Sequence, residues 1–75
     1  MIAELDRVVL LTAVSTACLA AGDVGTVVHR CADGQAYEVE FVALDGHMTA
    51  VLTLEAKQVR PVTPRDMSHA RELVV

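Results

Sequence analysis

Aromatic side chains are nearly absent from this chain of 75 residues: Tyr37 and Phe41 are the only two, and there is no tryptophan. Because 53% of the residues are nonetheless apolar, valine, leucine and alanine have to form the core. Thirteen residues are valines, whose branched side chains favour strands. A domain of this size buries only about 60–65% of its unfolded surface. The surplus of apolar surface therefore predicts a homo-oligomer or a bound protein partner.

Long hydrophobic runs are also missing, although the mean hydropathy is +0.44. No run approaches the roughly 20 residues of a membrane-spanning helix, so no membrane association is predicted. Glu4 and Asp6 precede and interrupt the first apolar run, which disfavours a secretory signal. The only cysteines, Cys18 and Cys31, fit a reduced cytoplasmic protein with free thiols. A disulfide between them is the disfavoured alternative.

Positive charge is scarce: six Lys and Arg stand against ten Asp and Glu, for a formal net charge of −4. The six cationic side chains are scattered along the chain rather than clustered. Nucleic-acid binding normally requires a concentrated positive field, so nucleic acid is disfavoured as a partner. The acidic balance instead suits a basic protein partner, because complementary charge speeds and selects association.

Catalytic motifs are lacking as well. There is neither a Gly-x-Ser-x-Gly nucleophile elbow nor a glycine loop of the kind that cradles phosphate. Glu38 and Glu40 share one strand face, roughly 6–7 Å apart, a gap that a general acid–base pair can use. No basic or pocket-forming aromatic residue accompanies them, so we interpret the pair as part of a solvated outer face. The chain is predicted not to be an enzyme, with no catalytic residue.

A metal site is only weakly indicated. His29 and Cys31 lie two residues apart on one strand, and Cys18 or His47 would have to join them to bind zinc. No CxxC or HxxxH spacing supports this arrangement. A small buried thiol beside a histidine at the rim is the preferred interpretation, so we predict no metal and no cofactor.

The sequence does contain turn-forming dipeptides at near-even intervals, at Gly22-Asp23, Asp33-Gly34 and Asp45-Gly46. Asp-Gly between apolar runs is a strong hairpin signal, because glycine accepts positive φ. These turns and the apolar runs between them predict five strands, over residues 5–14, 24–31, 36–44, 47–54 and 59–62.

Individual strands carry further information. The first is apolar on both faces, which predicts that both are covered. The third alternates most clearly: Tyr37, Val39 and Phe41 are predicted to face the core, with glutamates between them facing solvent. Residues 55–58 fit one 3₁₀ turn. Pro61 lacks an amide proton, so the last strand is predicted at a sheet edge.

After residue 62 the strand-like pattern gives way to a different one, so we divide the chain into a domain over residues 1–62 and a tail over residues 63–75. Thr63, Pro64 and Asp66 have the pattern of an N-cap, a proline at the first helical position and an acid three residues after the cap. This pattern predicts a short helix of about two turns. A flexible tail is the alternative.

This order of elements resembles a small five-stranded SH3-like barrel. Ala-Gly-Asp-Val-Gly-Thr-Val-Val at residues 21–28 resembles the opening of KOW-type barrels, where Gly-Asp-x-Gly-x-Val leads from the loop into the second strand. Ala-Tyr-Glu-Val-Glu-Phe at residues 36–41 and Gln-Val-Arg-Pro-Val at residues 58–62 are similar to a bacterial family of small uncharacterised proteins, known only as a domain of unknown function. The resemblance covers residues 4–62.

The resemblance implies a bacterial, cytoplasmic setting without an established activity. It also implies an antitoxin-like or accessory subunit of a small operon. The KOW-like opening makes a nucleic-acid-binding barrel the alternative function. The loop over residues 15–21 contains no basic residue, which is a departure from KOW-type binders.

The leading hypothesis is a non-catalytic protein-interaction module. A small barrel fills its interior with one face of each strand, so an apolar patch is predicted to remain outside, and such patches usually mark interfaces. The alternative is that the tail covers this patch within the same chain. The predicted interaction residues are Val9, Leu11, Cys18, Leu19, Met67, Leu73 and Val74.

Overall fold

The computed structural model describes residues 2–72 and shows an all-β protein. Five antiparallel strands form one sheet in the order β4-β3-β2-β1-β5. The strands are β1 (Arg7–Leu10), β2 (Val24–Cys31), β3 (Ala36–Val42), β4 (Met48–Glu55) and β5 (Val59–Pro61). Single 3₁₀ turns occupy Ser15–Ala17, Ala32–Gly34 and Ala56–Gln58. The predicted five-stranded all-β architecture, with a 3₁₀ turn before the last strand, is confirmed.

One cluster of apolar side chains from all five strands forms the core. Val8, Leu10, Val27 and Val39 have no exposed surface, or almost none. The alternation predicted for β3 is confirmed, because Tyr37, Val39 and Phe41 are buried while the glutamates between them are only half-buried. The remaining core residues are Ile2, Leu19, Leu54 and Val59.

Strand β1 is shorter than predicted. It covers Arg7–Leu10 rather than residues 5–14, because the backbone turns at both ends of this stretch. Leu5 has a left-handed backbone, with φ of 73°. Beyond β1, Leu11 donates its amide to Gln58, and Val14 pairs with Leu19 in a small separate loop. Three consecutive residues of β1 are buried, which confirms for this stretch that both faces are covered.

The predicted turns connect the expected strands. The Asp45-Gly46 turn joins β3 to β4: Gly46 adopts φ of 90°, and the amide of His47 donates to Asp45 Oδ1 at 2.9 Å. Strand β3 ends two residues earlier than predicted, at Val42, because the turn starts directly after it. The turn is closed by a hydrogen bond from the amide of Gly46 to the carbonyl of Ala43.

The connection to β5 also follows the prediction. Glu55 precedes the 3₁₀ turn, and its amide donates to the Gln58 side chain at 2.7 Å in a reciprocal cap. Strand β5 pairs with β1 at the end of the sheet, so Pro61 lies on an edge strand as expected.

Of the two alternatives for the tail, the helix is contradicted for its described part, because residues 63–72 contain a turn but no helix. The predicted cap contacts do form: Asp66 accepts hydrogen bonds from the amide and the hydroxyl of Thr63. Asp66 is also held by two hydrogen bonds from Arg60. This pairing ties the segment to β5, and the chain continues along the sheet without forming a helix.

Candidate interaction surface

The residues predicted for an interaction surface fall into three groups. Val9 and Leu19 are only 8% and 6% exposed, so the prediction that they form part of an exposed patch is wrong. Leu19 packs in the core, where the loop after β1 folds inward. Leu11, Cys18 and Met67 are exposed, as predicted. Leu73 and Val74 lie outside the described residues.

Val9 is buried on the other side of the sheet from the core. Its neighbours Val8 and Leu10 belong to the core cluster, whereas Val9 does not. In the sheet register it lies opposite Val24 on one side and Arg60 on the other. The outer face of β1 is therefore covered locally, and residues 63–72, which we call the C-terminal segment, line a cleft together with Val9.

The C-terminal segment and the outer face of the sheet enclose a cleft of about 820 Å³. Its apolar lining is drawn from β1, β2, the end of β3, the residues after β5 and the segment itself. The larger apolar side chains are Val9, Leu19, Val24, Phe41, Val42, Leu44, Val62 and Met67. Val9, Leu19 and Phe41 are buried, whereas the other five are 40% to 101% exposed, so the segment leaves these five open to a partner.

A bidentate ion pair fixes the start of the C-terminal segment. Arg60 on β5 donates to both carboxylate oxygens of Asp66, at 3.0 and 2.6 Å. The amide of Thr63 donates to the same carboxylate at 2.6 Å. The guanidinium of Arg60 first, and then the Thr63 amide, hold the pKa of Asp66 far below its usual range.

A second bidentate pair fixes the far end of the segment. Arg71 donates from Nε and Nη2 to the two carboxylate oxygens of Asp23, at 3.0 and 2.5 Å, and from Nη2 to the carbonyl of Cys18 at 2.9 Å. Asp23 also accepts the amide of Ala20. The Arg71 hydrogen bonds are the main cause of the lowered pKa of Asp23. Between these anchors, residues 67–70 make no hydrogen bond to another described residue.

Acid is expected to release the C-terminal segment before it unfolds the sheet. The pKa values of Asp23 and Asp66 lie below the unfolded value of 3.8, so their pairs stabilise the docked segment above that pH. This stabilisation is lost as the pH falls below 3.8 towards the lowered pKa values. In an amide NMR titration, the signals of residues 67–71 should move below about pH 4, while that of Val39 stays unchanged.

A matched variant separates this effect from general acid unfolding. Arg71→Gln removes one anchor, so its segment signals should already have moved at neutral pH, with the Val39 signal unaltered. Segment signals that stay constant down to the pH of global unfolding would contradict the assignment of these two ion pairs as anchors.

The residues considered for acid–base chemistry and for metal binding lie on different elements of the fold. Glu38 and Glu40 are half-buried on β3, opposite Thr53 and Val51 of β4. Within residues 2–72, no three His, Cys, Asp or Glu side chains are grouped so as to hold a metal ion. His29 instead lies 3.5 Å from the carboxylate of Glu4.

The fold and the cleft define a small all-β domain with an apolar outer face that its own C-terminal segment spans. The chain belongs to the family described as Domain of unknown function (DUF4926), whose family model matches residues 4–61. The match ends with the last residue of β5, so the C-terminal segment lies outside it. No match was found among the curated proteins or the solved structures. No helix within residues 2–72 is long and apolar enough to cross a membrane.

Proposed function

We propose that this protein is a non-catalytic module that binds another protein at the cleft on its outer face. The observation that carries the proposal is the exposure that remains after the chain has folded. Val42 is 47% exposed and Leu44 fully exposed on the cleft wall, even though the C-terminal segment is fixed at both ends. Contiguous open apolar surface of this kind is typical of interfaces.

The charge of the whole chain indicates the chemistry of the partner. The chain carries a net charge of −4, whereas the cleft itself is lined by Asp23 and Asp66 together with three arginines, Arg7, Arg60 and Arg71. Arg71 of the docked segment already occupies Asp23, so a partner segment with an arginine next to an apolar side chain would make the same contact by displacing Arg71. We therefore propose a basic, partly apolar protein segment as the partner.

The proposed setting is that of an accessory or antitoxin-like subunit in the bacterial cytoplasm, on an SH3-like barrel. The strand order β4-β3-β2-β1-β5 and the two free cysteines support this part of the proposal. Two of the arginines at the cleft, Arg60 and Arg71, are paired with aspartates, so their charges are largely compensated. This pairing favours a protein partner over nucleic acid.

Site-specific photo-crosslinking in cells tests the proposal. A photoreactive residue at Val42, inside the cleft, is compared with one at Val28, which is similarly exposed (47% and 41%) but does not line the cleft. We expect the Val42 probe to form one dominant protein adduct, through a partner segment that contains arginine or lysine. Equal labelling from both positions, or an adduct with RNA, would contradict the proposal.

The captured partner then allows a quantitative test with charge substitutions. Val42→Asp places a carboxylate on the apolar wall of the cleft and should weaken binding at least about tenfold, since it desolvates a charge without a partner group. Val28→Asp is the matched control and should leave the affinity within about twofold. Titration calorimetry measures both. Equal losses of affinity would place the contact elsewhere on the surface.

A further inference from the structure

The two edges of the sheet are protected to very different degrees. Strand β5 has three residues and ends in Pro61, both of which discourage another strand from pairing with it. Strand β4, at the opposite edge, has eight residues, contains no proline or lysine, and carries a single charge, at Glu55. Long edge strands of this composition readily accept a further strand.

The pattern of hydrogen bonds between β3 and β4 shows which backbone groups of β4 point towards its free edge. Ala56 donates its amide to Gln35 at 3.0 Å, in the register that pairs β3 with β4. In an antiparallel ladder, hydrogen-bonded and non-hydrogen-bonded pairs alternate. Ala56 belongs to a hydrogen-bonded pair, so Glu55, Thr53 and Val51 belong to non-hydrogen-bonded pairs. Their backbone N–H and C=O groups therefore point away from β3. All three residues are exposed.

We propose that β4 is a site of strand addition and that its partner is β4 of a second copy of this chain, paired antiparallel about a two-fold axis. A register centred on Leu52 places Val51 of each copy opposite Thr53 of the other. Both of these residues direct their backbone groups outward, so each such pair exchanges two hydrogen bonds. This surface lies at the other end of the sheet from β1 and β5, and the inference does not depend on the proposed cleft function.

The negative charges near this edge are too far apart in the paired copies to repel each other strongly. Glu55 lies at the end of β4, so in this register the two Glu55 residues are about 20 Å apart at the usual strand rise. Glu38 and Glu40 lie one strand further in, and three strand spacings of about 4.8 Å separate them from their counterparts across the axis. That separation of roughly 14 Å exceeds the screening length at physiological salt, which is about 8 Å.

Light scattering on the full chain during size-exclusion chromatography tests the inference. The wild-type chain should be dimeric at about 100 μM and dissociate on dilution. Val51→Lys brings two cations close together at the axis and should raise the dimer dissociation constant at least about tenfold. Val28→Lys is the control: its valine is similarly exposed (41% against 45%) but lies on β2, so the dimer should persist.

Amide hydrogen exchange gives a second readout that does not depend on a variant. The amides of Val51, Thr53 and Glu55 should exchange more slowly at high than at low protein concentration, while the rate at Val39 stays the same. A monomeric wild-type chain at about 100 μM, equal dissociation of both lysine variants, or concentration-independent exchange at these three amides would overturn the inference.

Discussion

Leu10→Ala is expected to lower the free energy of unfolding by about 2–5 kcal/mol. Leu10 has no exposed surface and lies in β1, at the centre of the apolar cluster. Replacing its isobutyl group by a methyl group leaves a cavity that neighbours such as Val8 and Val39 cannot fill without moving their strands. Small domains of this size have only about 3–5 kcal/mol available from one core. The variant should therefore be largely unfolded at 37 °C, as circular dichroism with urea titration will show.

Leu44→Ala provides the matched control. Leu44 is fully exposed on the cleft wall, so the same chemical change should alter the unfolding free energy by less than about 0.5 kcal/mol. It should nevertheless weaken partner binding. A large loss of stability in Leu44→Ala, or a negligible one in Leu10→Ala, would show that the core and the outer face have been assigned to the wrong sides of the sheet.

Gly25→Ala is expected to cause the second large loss, near the upper end of the 1–3 kcal/mol typical of overpacking. Gly25 lies in β2, where an added Cβ would approach Val39 Cγ1 to 2.5 Å and both Glu40 O and Phe41 Cε1 to 2.9 Å. Val39 is fully buried and the Glu40 oxygen belongs to the backbone, so neither atom is free to move away. Urea denaturation of the variant measures the loss.

The steric origin of this loss is testable with a double-mutant cycle. Val39→Ala removes the Cγ1 atom that lies closest to the added methyl group. In that background Gly25→Ala should cost at least about 0.5 kcal/mol less than in the wild type, because the two sites share one contact. Strict additivity of the two substitutions would contradict the proposed clash.

The strands were predictable because periodicity and turn chemistry agree in this chain. The bounds of β2 follow from Gly22-Asp23 and Asp33-Gly34 on either side, and the burial of β3 follows from its strict alternation. The short β1 was not predictable in the same way. Its apolar run continues past Leu10, but beyond the contact of Leu11 with Gln58 the chain leaves the sheet for the loop in which Val14 pairs with Leu19.

The C-terminal segment shows where local signals mislead. Thr63 and Asp66 make the contacts of a helix start, yet no helix follows in the described residues, since Arg60 holds Asp66 against β5. The partner of Asp23, Arg71, lies 48 residues away in the chain. Long-range ion pairs of this kind have no signature in a single sequence.

The sequence carries a signal for one residue of the cleft that was not among the predicted interaction residues. Val42 continues the face of β3 that carries Glu38 and Glu40, so it is an apolar residue on an otherwise polar face. Such an exception indicates a contact surface. Val9 was expected in an open patch, but it is buried although it lines the cleft.

Binding at the cleft requires that the folded chain keep the apolar lining accessible at Val24, Val42 and Leu44. Methyl NMR with a soluble paramagnetic agent measures this directly on the full chain. We expect strong attenuation of these three methyl signals, comparable to that of the exposed Leu5, and protection of Leu10. If Val42 and Leu44 prove as protected as Leu10, the cleft is closed and the proposed binding function loses its basis.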